Sequence, residues 1–343
     1  MRIFAIAMSS LAFVLTFHGS ALAAPSSEPA PAAGPVVYDN LAIYFIHGPS
    51  KSGPVPLTLG EAMSRKLVEV RETGTVNTLE IENFGDQPVF VQAGDVVKGG
   101  RQDRTLMVSL VLPPKSGRIP IASFCVEHGR WSARAKEDPT KFSASVAAVP
   151  SREMKLAMQA PKPSAPANRR LDTGLRQQEV WDGVQKAQDR LSAATGGEVR
   201  AVASATSLQL ALENEKLAKL RAGYVEALKA AGESSGDIVG YVFAVNGKLN
   251  SGEVYESNGL FRKMWPKLLD ASATEAISHR GETADKAPPV KAVAAFLAAG
   301  NAGKASTAPL NFGVNRVTRE SEHAWQFETA NAGGWVHRSY LSK

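Results

Sequence analysis

Apolar and polar positions along the chain follow two regimes. Up to about residue 134 the apolar residues fall in short runs or alternate with polar ones, which predicts strands. Residues 41–46 form an apolar run that stops at His47-Gly48-Pro49. Residues 57–62 read as the start of a short helix reaching about Arg65. Over 78–84, Leu79 and Ile81 share one face and Glu80 and Glu82 the other, a half-buried strand. Residues 88–91, 106–112 and 119–126 predict further strands, the last two joined across Pro113-Pro114-Lys115-Ser116-Gly117. Together these predict a β-rich meander.

The second regime follows a stretch, residues 135–168, that is poor in large apolar residues and carries Pro150, Pro161, Pro163 and Pro166. It reads as a long connection, functional or a linker. Helices are predicted beyond it. Residues 177–191 bring Val180, Trp181 and Val184 together, and Leu210, Leu217, Leu220, Tyr224 and Leu228 form one stripe with Gly232 as its C-cap. Residues 238–245 meet Asn246-Gly247, a strong hairpin signal, and return to Val254 and Tyr255. Helices follow over 259–269, interrupted by Pro266, and over 290–299, capped by Gly300. Strands return over 314–319, 324–329 and 334–340. The class is α+β: an N-terminal β-rich meander, then a helical part with a β-hairpin and C-terminal strands.

Composition narrows the setting. The chain has 343 residues, 39 Lys and Arg against 33 Asp and Glu, 44% apolar residues and one cysteine. This is a globular composition. A lone cysteine excludes an intramolecular disulfide and a multi-cysteine zinc or iron–sulfur site. Arg2, the apolar run 3–17 and Ala21-Leu22-Ala23 read as a signal peptide over residues 1–23, cut after Ala23. Residues 24–36 are a Pro/Ala-rich linker, and 37–342 the folded region: a β-rich part to about 134, the connection 135–170, and an α+β part over 171–342. A periplasmic or secreted location is expected, with no membrane span after cleavage. Residues 37–134 hold 11 basic and 10 acidic side chains. No basic tract carries interleaved aromatics, so no nucleic-acid partner is expected.

Common catalytic templates fail. Gly232-Glu233-Ser234-Ser235-Gly236 matches G-x-S-x-G in letters, but it leaves a helix for a strand where the nucleophile elbow needs the reverse. There is no P-loop and no G-x-G-x-x-G. His47, His128, His279, His323 and His337 are scattered, so no metal site is expected, and no cofactor is indicated. Two segments remain. Lys98-Gly99-Gly100-Arg101-Gln102-Asp103-Arg104 offers backbone suited to positive φ, which would let successive N–H groups cradle an anion beside Arg101 and Arg104. Read blandly, it is a tight turn with a solvated charge cluster. Cys125-Val126-Glu127-His128-Gly129-Arg130-Trp131 closes a strand. Cys125 and Glu127 are the candidates for nucleophile and base, against a buried structural network pairing Glu127 with Arg130 or Arg104.

These segments, GDVVKGGRQDR over 94–104 and CVEHGRW over 125–131, resemble the ARG and rhodanese-phosphatase superfamily-associated protein domain family. EVW at 179–181, VGYVFAVNGKL at 239–249 and GGWVHRSYL at 333–341 fit the same resemblance, which spans about Val37 to Ser342. It singles out Gly99, Gly100, Gln102, Arg104, Cys125, Glu127, Arg130 and Trp131 without assigning them roles. The family's associations imply a phosphorylated or ADP-ribose-like ligand. Two functions are therefore expected. One is binding, with or without hydrolysis, of an anionic small molecule by Gly99, Gly100, Gln102, Arg104, Arg130 and Trp131. The alternative is a non-catalytic envelope module, structural or for protein interaction, in which these residues stabilise the meander.

Overall fold

The computed structural model describes residues 32–132, 134, 137–161 and 173–343. The signal peptide read over 1–23, residues 24–31 of the linker and residues 162–172 of the Pro-rich stretch lie outside the described residues.

The first strand, β1 (Ala32–Tyr38), starts inside the stretch read as linker and pairs antiparallel with β2 (Leu41–His47). After β3 (Leu57–Thr58) comes α1 (Leu59–Ser64). Its start is fixed by a capping box: the Thr58 hydroxyl accepts from the Glu61 N–H at 3.2 Å, and the Glu61 carboxylate accepts from the Thr58 N–H at 2.8 Å. The N-terminal part continues through β4 (Val68–Glu72), β5 (Thr78–Asn83), β6 (Val89–Val91), β7 (Asp95–Gly99), β8 (Arg104–Leu106), β9 (Leu110–Leu112), β10 (Gly117–Cys125) and β11 (Phe142–Ala148). Four helices follow: α2 (Arg152–Gln159), α3 (Thr173–Thr195), α4 (Leu208–Leu212) and α5 (Glu215–Gly232). The hairpin β12 (Ile238–Val245) and β13 (Lys248–Tyr255) leads to α6 (Asn258–Ser278) and α7 (Val290–Ala302). The chain closes on β14 (Lys304–Pro309), β15 (Asn315–Glu320), β16 (Ala324–Asn331) and β17 (Gly334–Ser342).

The N-terminal strands do not form one meander. β1 and β2 join the C-terminal strands in an eight-stranded sheet of order β1-β2-β12-β13-β17-β16-β15-β14, antiparallel throughout. A six-stranded antiparallel sheet has the order β11-β7-β8-β10-β5-β4, and β3-β6-β9 make a third. The large sheet is covered on both faces. In β2, Leu41, Ile43 and Phe45 point to the side holding Trp265 of α6, while Ala42, Tyr44 and Ile46 point to Val293, Phe296 and Leu297 of α7. This two-sided burial is why β2 and β12 read as unbroken apolar runs. Trp265 packs edge-on against Phe45 and Tyr241, both ring centroids 5.4 Å away. One apolar cluster runs from these residues through Leu79, Ile81, Phe90 and Phe124, so the β-rich and helical parts share a core.

Several local expectations change, among them the break at Pro266, through which α6 runs on, and the cap at Gly300, which lies inside α7. The run 106–112 is split, because β8 and β9 belong to different sheets and the chain crosses between them at Met107, Val108 and Ser109. The connection 135–168 contains β11 and α2, the latter capped by Ser151 and held by Met154 and Met158, both fully buried. The stripe from Leu210 to Leu228 is two helices, α5 being capped afresh by Asn214. Gly232 is the last residue of α5 and not its cap, which is Glu233; a Cβ on Gly232 would lie 2.3 Å from the Trp265 ring.

Candidate functional site

β8 and β10 pair with Cys125 opposite Arg104, so the sheet brings the two singled-out segments side by side. The turn between β7 and β8 uses Gly99 at φ 117° and Gly100 at φ 56°, values that a side chain would strain. Its backbone donors are already committed. The Gly99 N–H donates to Asp103 Oδ1 at 2.9 Å, the Gly100 N–H to the Lys141 carbonyl at 3.0 Å, and the Arg101 N–H to Glu72 Oε1 at 3.0 Å. The cradle expected for an anion holds the protein's own carboxylates instead.

Around this turn lies a buried charge clasp. Asp103, without solvent exposure, accepts a forked pair of bonds from Arg134 at 2.8 and 2.7 Å, and a third from Ser207 Oγ at 2.7 Å. Glu127, equally sealed, accepts from Arg130 Nε at 2.7 Å and Nη2 at 2.6 Å, and from the Asp103 N–H at 2.9 Å. Arg104 donates to the Gln102 carbonyl at 3.0 Å and to Glu72 Oε1 at 3.4 Å, while the Gln102 amide donates to the Glu127 carbonyl at 2.8 Å. Arg130 also reaches the carbonyls of Gly100, Gly99 and Ser132. Arg134 extends to Glu137 at 3.1 Å. Three guanidiniums, of Arg104, Arg130 and Arg134, thus meet four carboxylates, of Glu72, Asp103, Glu127 and Glu137.

The protonation of these groups follows from their surroundings. Burial alone would raise the Glu127 carboxyl, but Arg130, Ser204 and the Asp103 N–H together hold it below its usual value. Burial raises Asp103, and the neighbouring Glu127 adds to the rise. The Arg134 fork opposes both effects and keeps Asp103 an ion-pair partner. Cys125 is fully buried and burial pushes its thiol up to about 11. Thiolates attack and thiols do not. The Gln177 amide bonds both the N–H and the carbonyl of Cys125, each at 2.9 Å, and fixes this end of β10 to α3.

Of the residues expected to form the site, Gly99, Gly100, Gln102, Arg104, Glu127 and Arg130 come together in the clasp. Cys125 lies behind it in the core. Trp131 stands at its mouth, 43% exposed, with the guanidinium carbons of Arg101 and Arg104 at 5.4 and 5.7 Å from its ring centre. Sequence reasoning missed Glu72, Arg134, Ser207 and Gln177. Ser207 carried one usable signal: its hydroxyl also caps α4 by accepting from the Leu210 N–H. Next to the clasp, His128 meets Trp181 edge to face at 4.4 Å, and the pair lines a cavity of about 380 Å³ with Arg200. Arg200 is tied to Asp189 and Glu198. Among the described residues, no cluster of three or more His, Cys, Asp or Glu is placed to hold a metal ion.

The chain is α+β, and one described class of domain accounts for nearly all of its described length. The model of that family, the ARG and Rhodanese-Phosphatase-superfamily-associated Protein domain (ARPP-1), matches residues 31–341, and the chain belongs to it. No curated protein and no solved structure matches the chain.

Proposed function

We propose that this chain is an exported, non-catalytic module in which the residues of the glycine turn and of the Cys125–Trp131 segment act as a structural clasp. The observation that carries this reading is the state of Glu127: no solvent exposure and both oxygens engaged by Arg130. A general base must reach its proton within hydrogen-bond distance, and the Glu127 oxygens are already engaged by Arg130 and the Asp103 N–H. Cys125, with its thiol raised by burial, offers no nucleophile beside it. Export rests on the N-terminal pattern of Arg2, the apolar run and Ala21-Leu22-Ala23; no helix of the described residues is long and apolar enough to cross a membrane.

A second reading, capture of an anionic small molecule, has one specific support. Arg101 makes no ion pair with a described residue and stacks over the exposed Trp131 ring at 5.4 Å, so a phosphate or carboxylate has one uncommitted guanidinium to meet. Within the clasp itself, every arginine already faces a carboxylate.

One titration separates the two. The thermal midpoint of the purified chain is measured against phosphorylated and carboxylated small molecules, ADP-ribose included. A ligand at 100 times its dissociation constant adds about 2.7 kcal/mol, enough to move the midpoint by a few degrees. The clasp reading expects a flat panel together with a collapsed midpoint in Arg104→Ala. A hit that vanishes in a well-folded Arg101→Ala variant overturns it in favour of the anion.

A further inference from the structure

One hollow among the described residues lies away from the clasp and shares no lining residue with it. It is a cavity of about 580 Å³ between α1, α5 and α6. Val225 of α5 and Pro266 and Leu269 of α6 supply apolar walls, and Lys229, Lys263 and Lys267 line the same space. The volume falls within the range of small-molecule sites, and mainly apolar walls with a few convergent polar groups are how such sites are built.

The charges are unequal. Lys267 is bound to the buried Asp95 at 2.7 Å. Lys263 is bound to Glu61 at 3.2 Å and to the Pro56 carbonyl at 3.0 Å. The Asp270 carboxylate on the wall is held by Arg221 at 2.8 Å. Lys229 makes no ion pair with a described residue, so one cation is left over. Gly60 of α1 is a second, independent sign that the space is meant to stay open. Neither backbone nor packing asks for a glycine here: its φ is ordinary, and the nearest atom to an added Cβ is the Ser145 carbonyl oxygen at 4.0 Å. What the missing side chain provides is room.

We propose that this cavity binds a monoanionic amphiphile, a single apolar chain ending in a carboxylate. The chain lies along Val225, Pro266 and Leu269, and the head meets Lys229, with Lys263 beside it. One anion matches the one unpaired cation; a dianion would have to break the Lys263–Glu61 or Lys267–Asp95 pair to gain a second. The same chemistry exists as a free fatty acid and as an acidic lipid in a bilayer; a hollow of about 580 Å³ set between three helices is sized for the free molecule.

The test is calorimetric titration of the whole chain with dodecanoate below its micellar range. Dodecanol serves as the uncharged control, and vesicles of phosphatidylglycerol as the membrane control. Saturable one-to-one binding of dodecanoate is expected, at least tenfold tighter than dodecanol and absent for the vesicles. Gly60→Leu fills the cavity and should abolish binding. Lys229→Glu, at an exposed position with no structural partner, should weaken binding at least tenfold while the thermal midpoint stays within about 2 °C, so the outcome does not depend on how Gly60→Leu folds. Absence of saturable binding overturns the proposal. So does equal binding of dodecanol, binding to vesicles alone, or binding unchanged in Lys229→Glu. None of these results bears on the clasp, whose own readouts are Arg104→Ala and Arg101→Ala.

Discussion

Arg134 shows how much of the candidate site depends on one buried charge. Its guanidinium joins Asp103, Glu137 and Ser207, and Asp103 in turn holds the Gly99 turn in place. Removing one partner of such a pair leaves an uncompensated charge and costs about 3–5 kcal/mol, whereas replacing both with apolar groups of similar volume is often neutral. Arg134→Met is therefore expected to lose that much stability in urea unfolding, and Asp103→Leu with Arg134→Met to recover part of it. Recovery separates a structural clasp from a residue that must meet a ligand. Cys125 gives a second expectation. Raised from an ordinary value near 9 to about 11, its thiol carries roughly a hundredfold less thiolate at pH 8 than a free one. Iodoacetamide should modify the native chain at least a hundredfold more slowly than the chain in urea, and equal rates would show that Cys125 is accessible. At this scale the sequence exposed what lies within a few residues: the Gly99-Gly100 turn and the Glu127–Arg130 pair, three positions apart. Glu72, Arg134 and Ser207 reach the same point from distant segments, and no spacing rule marks a partner contributed by the tertiary fold.

Elements were legible where pattern and packing agree. The Asn246-Gly247 hairpin is built as read, with φ 50° and 78° at its two turn residues, and α1 begins at the Thr58 to Glu61 capping box. Failures have physical causes. Residues 106–112 stay apolar while the chain changes sheets, so the pattern carries no mark of the break. The helix α2 is eight residues long between Pro150 and Pro161, too short for its Met154 and Met158 to stand out as a stripe. The glycines near the ends of α5 and α7, cap candidates by sequence, are points of close approach: a Cβ on Gly232 meets the Trp265 ring at 2.3 Å, and one on Gly300 meets the Tyr340 ring at 2.8 Å. The two accounts predict opposite signs. On helix propensity alone, Gly300→Ala inside α7 gains up to about 1 kcal/mol. On packing it forces the Tyr340 ring aside, and overpacking typically costs 1–3 kcal/mol. We expect a lower urea midpoint for Gly300→Ala, and the same for Gly232→Ala. A rise in either would mean that the aromatic neighbour yields easily.

On the scale of the whole molecule, stability comes from contacts that span the chain. β2 pairs with β12 across roughly two hundred residues, as in Ile43 opposite Phe243, which no local pattern foretells. Residues 32–134 expressed alone would lack β12 and should show no cooperative unfolding transition. Glu275 makes a comparable long-range tie through polar groups. From within α6 this buried carboxylate accepts from the Asn250 amide of β13 at 3.2 Å and from the Arg152 N–H opening α2 at 3.3 Å, and it lies 3.8 Å from His279. His279 also contacts Glu282 at 2.9 Å. Burial works against the charged Glu275, but His279, the Arg152 N–H and Asn250 outweigh it and hold its carboxyl below the usual value. The Glu275 carboxylate, helped by Glu282, raises His279. The signs fix a pH window. A depressed carboxyl gives stability that is in place above its unfolded value of about 4.3 and is lost as pH falls through the lower folded value. A raised imidazole gives stability that is complete below its unfolded value of about 6.5 and is lost as pH rises through the higher folded value. Both contributions are complete together between about pH 4.3 and 6.5, and of the two the alkaline loss belongs to His279. The thermal midpoint of the wild-type chain should fall on going from pH 6 to pH 8.5, and in His279→Gln that fall should shrink, because the variant has no imidazole to deprotonate. An undiminished fall in His279→Gln would place the alkaline sensitivity elsewhere and remove this tie from the account of how α2, β13 and α6 are held together.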